Sequence, residues 1–261
     1  MNERSSATGS PPPSDVDAPH PARAVARVGV RVQEPSGGDD RYDWVAVEEP
    51  LEIRVAGPGR QPVSVAVTMR TPGADVELAV GFLYTEGLIS PGDVVATSEG
   101  PAPWHSRVVS ITLARPFDGS ALKRNFFASS SCGVCGKATL DQAFVRCGTV
   151  APGPVVRYST LIGLPDALRP AQRGFDRTGG LHAAGLFDVD GRLLAVREDV
   201  GRHNAVDKLV GRAFLDGDLP LSARILLVSG RAGFEILQKA AVAGLPIVCA
   251  VSAPSSLAVE T

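Results

Sequence analysis

The sequence predicts an α/β protein: a smaller α+β unit in the first half and a larger α/β domain in the second. Three observations carry this. Apolar and polar residues alternate in several short runs of the first half. A strand–helix–strand succession fills the second half between Arg224 and Val251, at the spacing of a right-handed parallel crossover. The 261 residues are 44% hydrophobic, enough for a sizeable core in one large domain or two unequal ones.

Residues 1–24 are rich in Pro, Ser, Ala and Asp and include Pro11-Pro12-Pro13. Such a stretch buries too little apolar surface to offset its ordering entropy, so a disordered tail is expected, with His20 solvated inside it. The α+β unit is placed at 25–128. Val28, Val30 and Val32 alternate with Arg27, Gly29 and Arg31, and Leu51, Ile53 and Val55 alternate with Glu52 and Arg54. After a Gly57-Pro58-Gly59 turn, Val63, Val65, Val67 and Met69 continue the pattern. Val76, Ala79, Val80 and Leu83 have helical spacing, and Gly87 is the stop signal. A strand-like run follows at Arg107–Leu113.

The α/β domain is placed at 129–261. Leu181–Phe187, the turn Asp188-Val189-Asp190-Gly191 and Arg192–Val196 read as a hairpin. A helix is expected from Arg202 to Arg212, a strand at Arg224–Ser229, a helix at Gly233–Ala243, a strand at Ile247–Val251 and a new helix at Ser255. Ligands of such sheets sit beyond the carboxyl ends of the strands, here Ser229-Gly230-Arg231 and Ser252-Ala253-Pro254-Ser255. Pro170 is expected to interrupt a helix.

Net charge is −2, so no global basic field points to nucleic acid or an anionic membrane. Ala240–Val259 is uncharged over a length near that of a membrane span, but Gly244, Pro246, Ser252, Pro254, Ser255 and Ser256 divide it. No secretory h-region opens the chain. The four cysteines form no secreted disulfide framework, so a cytoplasmic, reducing compartment is expected. Cys249, in Ile247-Val248-Cys249-Ala250-Val251, reads as a small buried hydrophobe, and Cys147 as structural or incidental.

Ser129-Ser130-Ser131-Cys132-Gly133-Val134-Cys135-Gly136-Lys137 is the sharpest chemical signal. Its serines and glycines predict an exposed, mobile loop, and Lys137 favours the nucleophilic thiolate. Two thiols at this spacing can form a disulfide, bind a metal or relay sulfur. Zinc requires further ligands; His182 and His203 are the candidates, and neither has finger or ribbon spacing. The zinc-deaminase order of His-x-Glu before Pro-Cys-x-x-Cys is absent.

Glu198 to Lys208 is the densest polar cluster and opens a helix. His203 and Asp207 fall one turn apart on it, so Asp207 is expected to orient the imidazole. The alternative is a solvated helix face capped by Asp199. Backbone N–H groups at Ser229-Gly230-Arg231, with Arg231 itself, suit a phosphate or a guanine edge. Glu235 and Lys239 form either an i,i+4 pair or part of a site. Ser255 and Ser256 either cap the last helix or touch ligand.

The ordered motifs resemble the formate dehydrogenase accessory sulfurtransferase family (FdhD). They are Ser-Cys-Gly-Val-Cys-Gly, Thr178-Gly179-Gly180-Leu181-His182-Ala183-Ala184, Glu198 through Lys208, Ser229-Gly230-Arg231 and Ser252 through Glu260. Met69-Arg70-Thr71-Pro72-Gly73 and Gly81 through Gly87 are similar to that family's first half, so the likeness runs from about residue 45 to 261. The resemblance implies a cytidine-deaminase-like three-layer α/β/α domain without deaminase zinc chemistry, and a homodimer. It implies persulfide sulfur taken from a cysteine desulfurase by Cys132, with Cys135 its partner in relay. The acceptor it implies is the molybdenum cofactor bis-molybdopterin guanine dinucleotide, on its way to formate dehydrogenase, with GDP as a partial mimic. His182, Asp199, Arg202, His203, Ser229, Arg231, Ser252 and Ser255 are the expected cofactor-binding residues. Family members continue beyond Leu257-Ala258-Val259-Glu260, so the C-terminus is expected to be truncated. The rival readings are a CxxC thiol–disulfide oxidoreductase and a zinc-stabilised assembly factor.

Overall fold

Residues 24–35, 37–100, 107–117 and 149–261 are described in a computed structural model. The cysteine segment, with Cys132, Cys135, Lys137 and Cys147, lies outside them, as do nearly all of the expected tail and the 128/129 boundary.

In the first half, β1 (Val25–Glu34) and β2 (Gly37–Ala46) pair as an antiparallel ribbon. A second sheet has the order β4-β3-β6-β5, from β3 (Glu49–Ala56), β4 (Val63–Arg70), β5 (Val94–Glu99) and β6 (Val108–Leu113). Strand β3 runs antiparallel to β4 and parallel to β6. The alternation read from Leu51, Ile53 and Val55 is the inward face of β3, and all three are fully buried. They pack with Leu78 and Leu83 of α1 (Asp75–Thr85) and with Ile111 and Leu113 of β6. Helix α1 ends as expected at Gly87, where Gly87 N donates to Tyr84 O and Leu88 N to Leu83 O.

The second half is a four-stranded sheet of order β10-β9-β7-β8, from β7 (His182–Phe187), β8 (Leu193–Asp199), β9 (Ile225–Arg231) and β10 (Ile247–Ser252). Strands β9 and β10 are parallel, as the crossover spacing predicts, and β7 opposes both of its neighbours. Both faces are covered, which is why β9 reads as a continuous apolar run. Leu226 and Val228 face α4 (Arg202–Asp216) and α5 (Phe234–Val242), in a core shared with Val206, Leu209 and Ile236. Ile225 and Leu227 face α2 (Tyr158–Leu168), in a core shared with Leu164, Leu168 and Phe187. The three layers implied by the resemblance are therefore present.

Beyond α2, Pro170 lies in a 3-10 turn (Arg169–Ala171), and the chain resumes as α3 (Arg173–Thr178). The expected interruption falls where proline removes a helix donor. Ser255 caps α6 (Ser256–Glu260) by accepting from Ala258 N at 3.3 Å. The run Ala240–Val259 is indeed divided among α5, β10 and α6, and no described helix is long and apolar enough to cross a membrane.

The two halves join where α1 crosses α4. Their backbones touch at glycine: a Cβ added to Gly81 would lie 1.8 Å from Asp207 O, and one added to Gly211 would lie 1.8 Å from Glu77 O. Ionic contacts surround the crossing. Arg197 of β8 grips Glu77 through two bonds of 2.6 and 2.8 Å. Lys239 of α5, nearly buried, donates to Asp207 at 2.8 and 2.9 Å and to Thr85 at 2.9 Å.

Candidate functional site

The start of α4 is built from below by Asp199, the last residue of β8. Its side chain is fully buried and accepts from four donors: Thr71 N at 3.1 Å, Gly201 N at 2.8 Å, Asn204 Nδ2 at 3.0 Å and Lys208 Nζ at 2.7 Å. Lys208 also donates to Thr71 O at 2.8 Å, and Asn204 Nδ2 donates to Met69 O at 2.8 Å. The segment Met69–Gly73 of the first half is thus stitched to the helix that carries Arg202 and His203. A carboxylate with both oxygens taken by protein donors has little capacity left for a ligand. Asp199, expected among the cofactor-binding residues, here positions the loop and helix that surround the site.

His182 opens β7 beside the end of β9. A Cβ on Gly230 would stand 3.4 Å from His182 Nδ1 and 3.6 Å from Arg202 Cδ, so the strand end passes between these two side chains. Burial holds the His182 imidazole towards its neutral form, and the Arg202 guanidinium and the neighbouring His203 ring add to that effect. Ser229 accepts from Ala183 N at 2.9 Å.

His182 and Ser229 border a cavity of about 480 Å³, within the range of small-molecule sites. Its wall comes from α2, the 3-10 turn and α3, through Leu168, Arg169, Gln172 and Phe175, with Gly179 and Gly180 at the rim. Glu198 secures that wall by accepting from Gly174 N and Phe175 N, both at 2.8 Å, at the start of α3. Burial pushes the Glu198 carboxyl up, against these two hydrogen bonds. Arg169 stacks 4.9 Å from the Phe175 ring and pairs with Asp176 at 2.6 Å.

Of the expected site residues, the structure gathers His182, Arg202, His203 and Ser229 around the β9 end. Arg231 and Ser252 are register partners across β9 and β10, both exposed. Ser255 caps the last helix. Cys132 and Cys135 lie outside the described residues. The partner expected for His203 is corrected. Asp207 points into the crossing and is held by Lys239 and Thr85, whereas Glu235 of α5 lies 3.0 Å from His203 Nε2. Glu235 and Lys239 are therefore not a simple surface pair, because each binds across to another element. Cys249 is half-buried, and burial pushes its thiol up, in keeping with an inert side chain. The cavity wall from Arg169 to Phe175 escaped sequence reasoning, since no motif or periodicity there points to a ligand.

Comparisons with known proteins agree with this architecture. The model of the FdhD/NarQ family matches residues 46–261. The sulfur carrier protein FdhD of Mycobacterium tuberculosis is 53% identical over 235 residues, spanning 84% of this chain and 83% of its own. That of Streptomyces avermitilis is 51% identical over 231 residues, spanning 84% and 80%. That of Picrophilus torridus is 46% identical over 228 residues, spanning 86% and 85%. A crystal structure described as a formate dehydrogenase accessory protein of Desulfotalea psychrophila superposes with a TM-score of 0.71 over 91% of this chain and 88% of that one. At 22% identity, that likeness is one of fold. The chain belongs to the FdhD/NarQ family.

Proposed function

We propose that this chain is a sulfur carrier acting as a sulfurtransferase for formate dehydrogenase. One observation carries the reading. Relatives about half identical over more than four-fifths of the chain are sulfur carrier proteins, and this sequence holds the thiol pair Cys132-Gly133-Val134-Cys135 that such chemistry needs. The Cys132 thiolate attacks the outer sulfur of a persulfide on a cysteine desulfurase. The sulfur–sulfur bond there breaks, the desulfurase cysteine leaves as thiolate, and Cys132 carries the persulfide. Cys135 is its partner in passing the sulfur on.

The acceptor is the molybdenum cofactor, bis-molybdopterin guanine dinucleotide, bound as substrate at the β9 end. His182 and Ser229 meet it at the cavity, Arg202 and His203 from α4, and Arg231 and Ser252 at the strand ends. GDP serves as a partial mimic of its nucleotide. The protein works in the cytoplasm as a homodimer. Replacing Cys132 and Cys135 with serine in cells that depend on this chain tests the proposal: formate oxidation is expected to disappear. Unchanged formate oxidation would overturn it.

A further inference from the structure

We propose that Glu235 is a positioning residue of this site, fixing the tautomer and ring plane of His203. Its functional readout rests on the sulfur-delivery reading above; its structural readout does not. The two residues come from different helices, each the second residue of its own, α5 and α4. Their side chains are only 13% and 15% exposed, and Glu235 Oε2 lies 3.0 Å from His203 Nε2. A carboxylate oxygen this close offers lone pairs and no proton, so it favours the tautomer with the proton on Nε2 and Nδ1 left as an acceptor.

Three further observations bind this carboxylate to that role. Its Oε1 is buried and makes no hydrogen bond among the described residues, so the approach of Oε2 to the His203 imidazole is the short polar contact of this carboxylate. Lys239, one turn along the same helix, gives its hydrogen bonds to Asp207 at 2.8 and 2.9 Å and meets Glu235 only through its charge. Around the imidazole stand Arg202 from α4 and His182 from β7, while Asp199 at the end of β8 is closed off by its own four donors. The site therefore holds two unlike imidazoles. One is desolvated beside Arg202, and the other is anchored by a carboxylate that leaves its second nitrogen as an acceptor. A carboxylate on one ring nitrogen is the usual means of aiming the other at a ligand.

Two variants of the full chain test this. Glu235→Met keeps the volume and removes the acceptor; Glu235→Gln keeps an acceptor in the same place. Long-range proton–nitrogen correlation spectra of ¹⁵N-labelled protein read the His203 tautomer directly. The wild type and Glu235→Gln are expected to show the Nε2–H form, and Glu235→Met a mixture. Formate oxidation in cells relying on the variant is expected to fall roughly tenfold or more for Glu235→Met, the scale of a misaligned group, and to recover with Glu235→Gln. An unchanged tautomer in Glu235→Met overturns the proposal, as does full activity despite a mixed tautomer. Glu235→Gln as impaired as Glu235→Met also overturns it, because charge rather than alignment would then matter. Should Glu235→Met fail to fold, the wild-type spectrum decides, and an Nδ1–H ring there refutes the assignment. A wild type that supports no formate oxidation defeats the sulfur-delivery reading alone, since the spectra still judge the alignment.

Discussion

A single methyl group at Gly81 tests how the two halves are joined. Its carbon would stand 1.8 Å from Asp207 O, and real contacts of this kind essentially never fall below 3.0 Å. Helices α1 and α4 must therefore part by about 1.2 Å, at a point where buried groups are hydrogen-bonded on both sides. Alanine in a helix interior gains about 1 kcal/mol over glycine from backbone entropy. Against this, overpacking a tight contact costs about 1–3 kcal/mol, occasionally more. Separating Lys239 from Asp207 and Thr85 adds to the loss, because a buried pair pulled open costs about 3–5 kcal/mol. Gly81→Ala is thus expected to destabilise by at least about 2 kcal/mol, lowering Tm by roughly 4–8 °C at the few degrees per kcal/mol of chains this size. Gly163→Ala is the matched control. That glycine lies on the exposed side of α2 with open space where its Cβ would go, so the same change is expected to raise Tm by roughly 2–4 °C. Thermal and urea unfolding of both variants measures the pair. A Gly81→Ala protein as stable as the wild type would refute the close crossing.

Two more outcomes follow from the same geometry. Lys239→Met strands a buried Asp207 and is expected to cost about 3–5 kcal/mol in urea unfolding, while adding Asp207→Leu restores most of it. No recovery in the double variant would show that the lysine acts other than through this pair. His182 is expected to titrate below its ordinary value of 6.5, because burial first, then the Arg202 guanidinium and the neighbouring His203 ring, oppose its protonation. A depressed midpoint means that its contribution to stability is complete above the unfolded value and is lost as pH falls through the folded one. Arg202→Gln is expected to move that midpoint upward in an NMR titration. A wild-type midpoint at or above 6.5 would contradict the assignment.

Much of the second half was legible because it is covered on both sides. Buried strands and an amphipathic helix leave strong patterns, so β7 to β10, α4 and α5 fall close to their expected spans. Strands β2 and β5 left no such trace. Gly37–Ala46 is rich in Gly and Asp and nearly all exposed, and Val94–Glu99 buries almost nothing, so neither has an apolar face to alternate. The site shows the same division. The positions of His182, Arg202, His203 and Ser229 at strand and helix ends were legible in the sequence, while their expected role came from the family resemblance. Partner choice was not: one-turn spacing offered Asp207 to His203 and Lys239 to Glu235, and tertiary packing exchanged both. Asp199 reads in sequence as a cofactor contact or a solvated cap, and its partners Thr71 from the other half, Gly201, Asn204 and Lys208 become visible only in the packed structure.

The claim beneath all of this is that sulfur rides on the Cys132–Cys135 pair. Intact-protein and peptide mass spectrometry, after incubating the purified chain with a cysteine desulfurase and cysteine, tests it directly. One added sulfur atom on a peptide containing Cys132 or Cys135, removed by a thiol reductant, is the expected result. A chain that leaves the incubation with both residues unmodified, while the desulfurase itself is loaded, would contradict it.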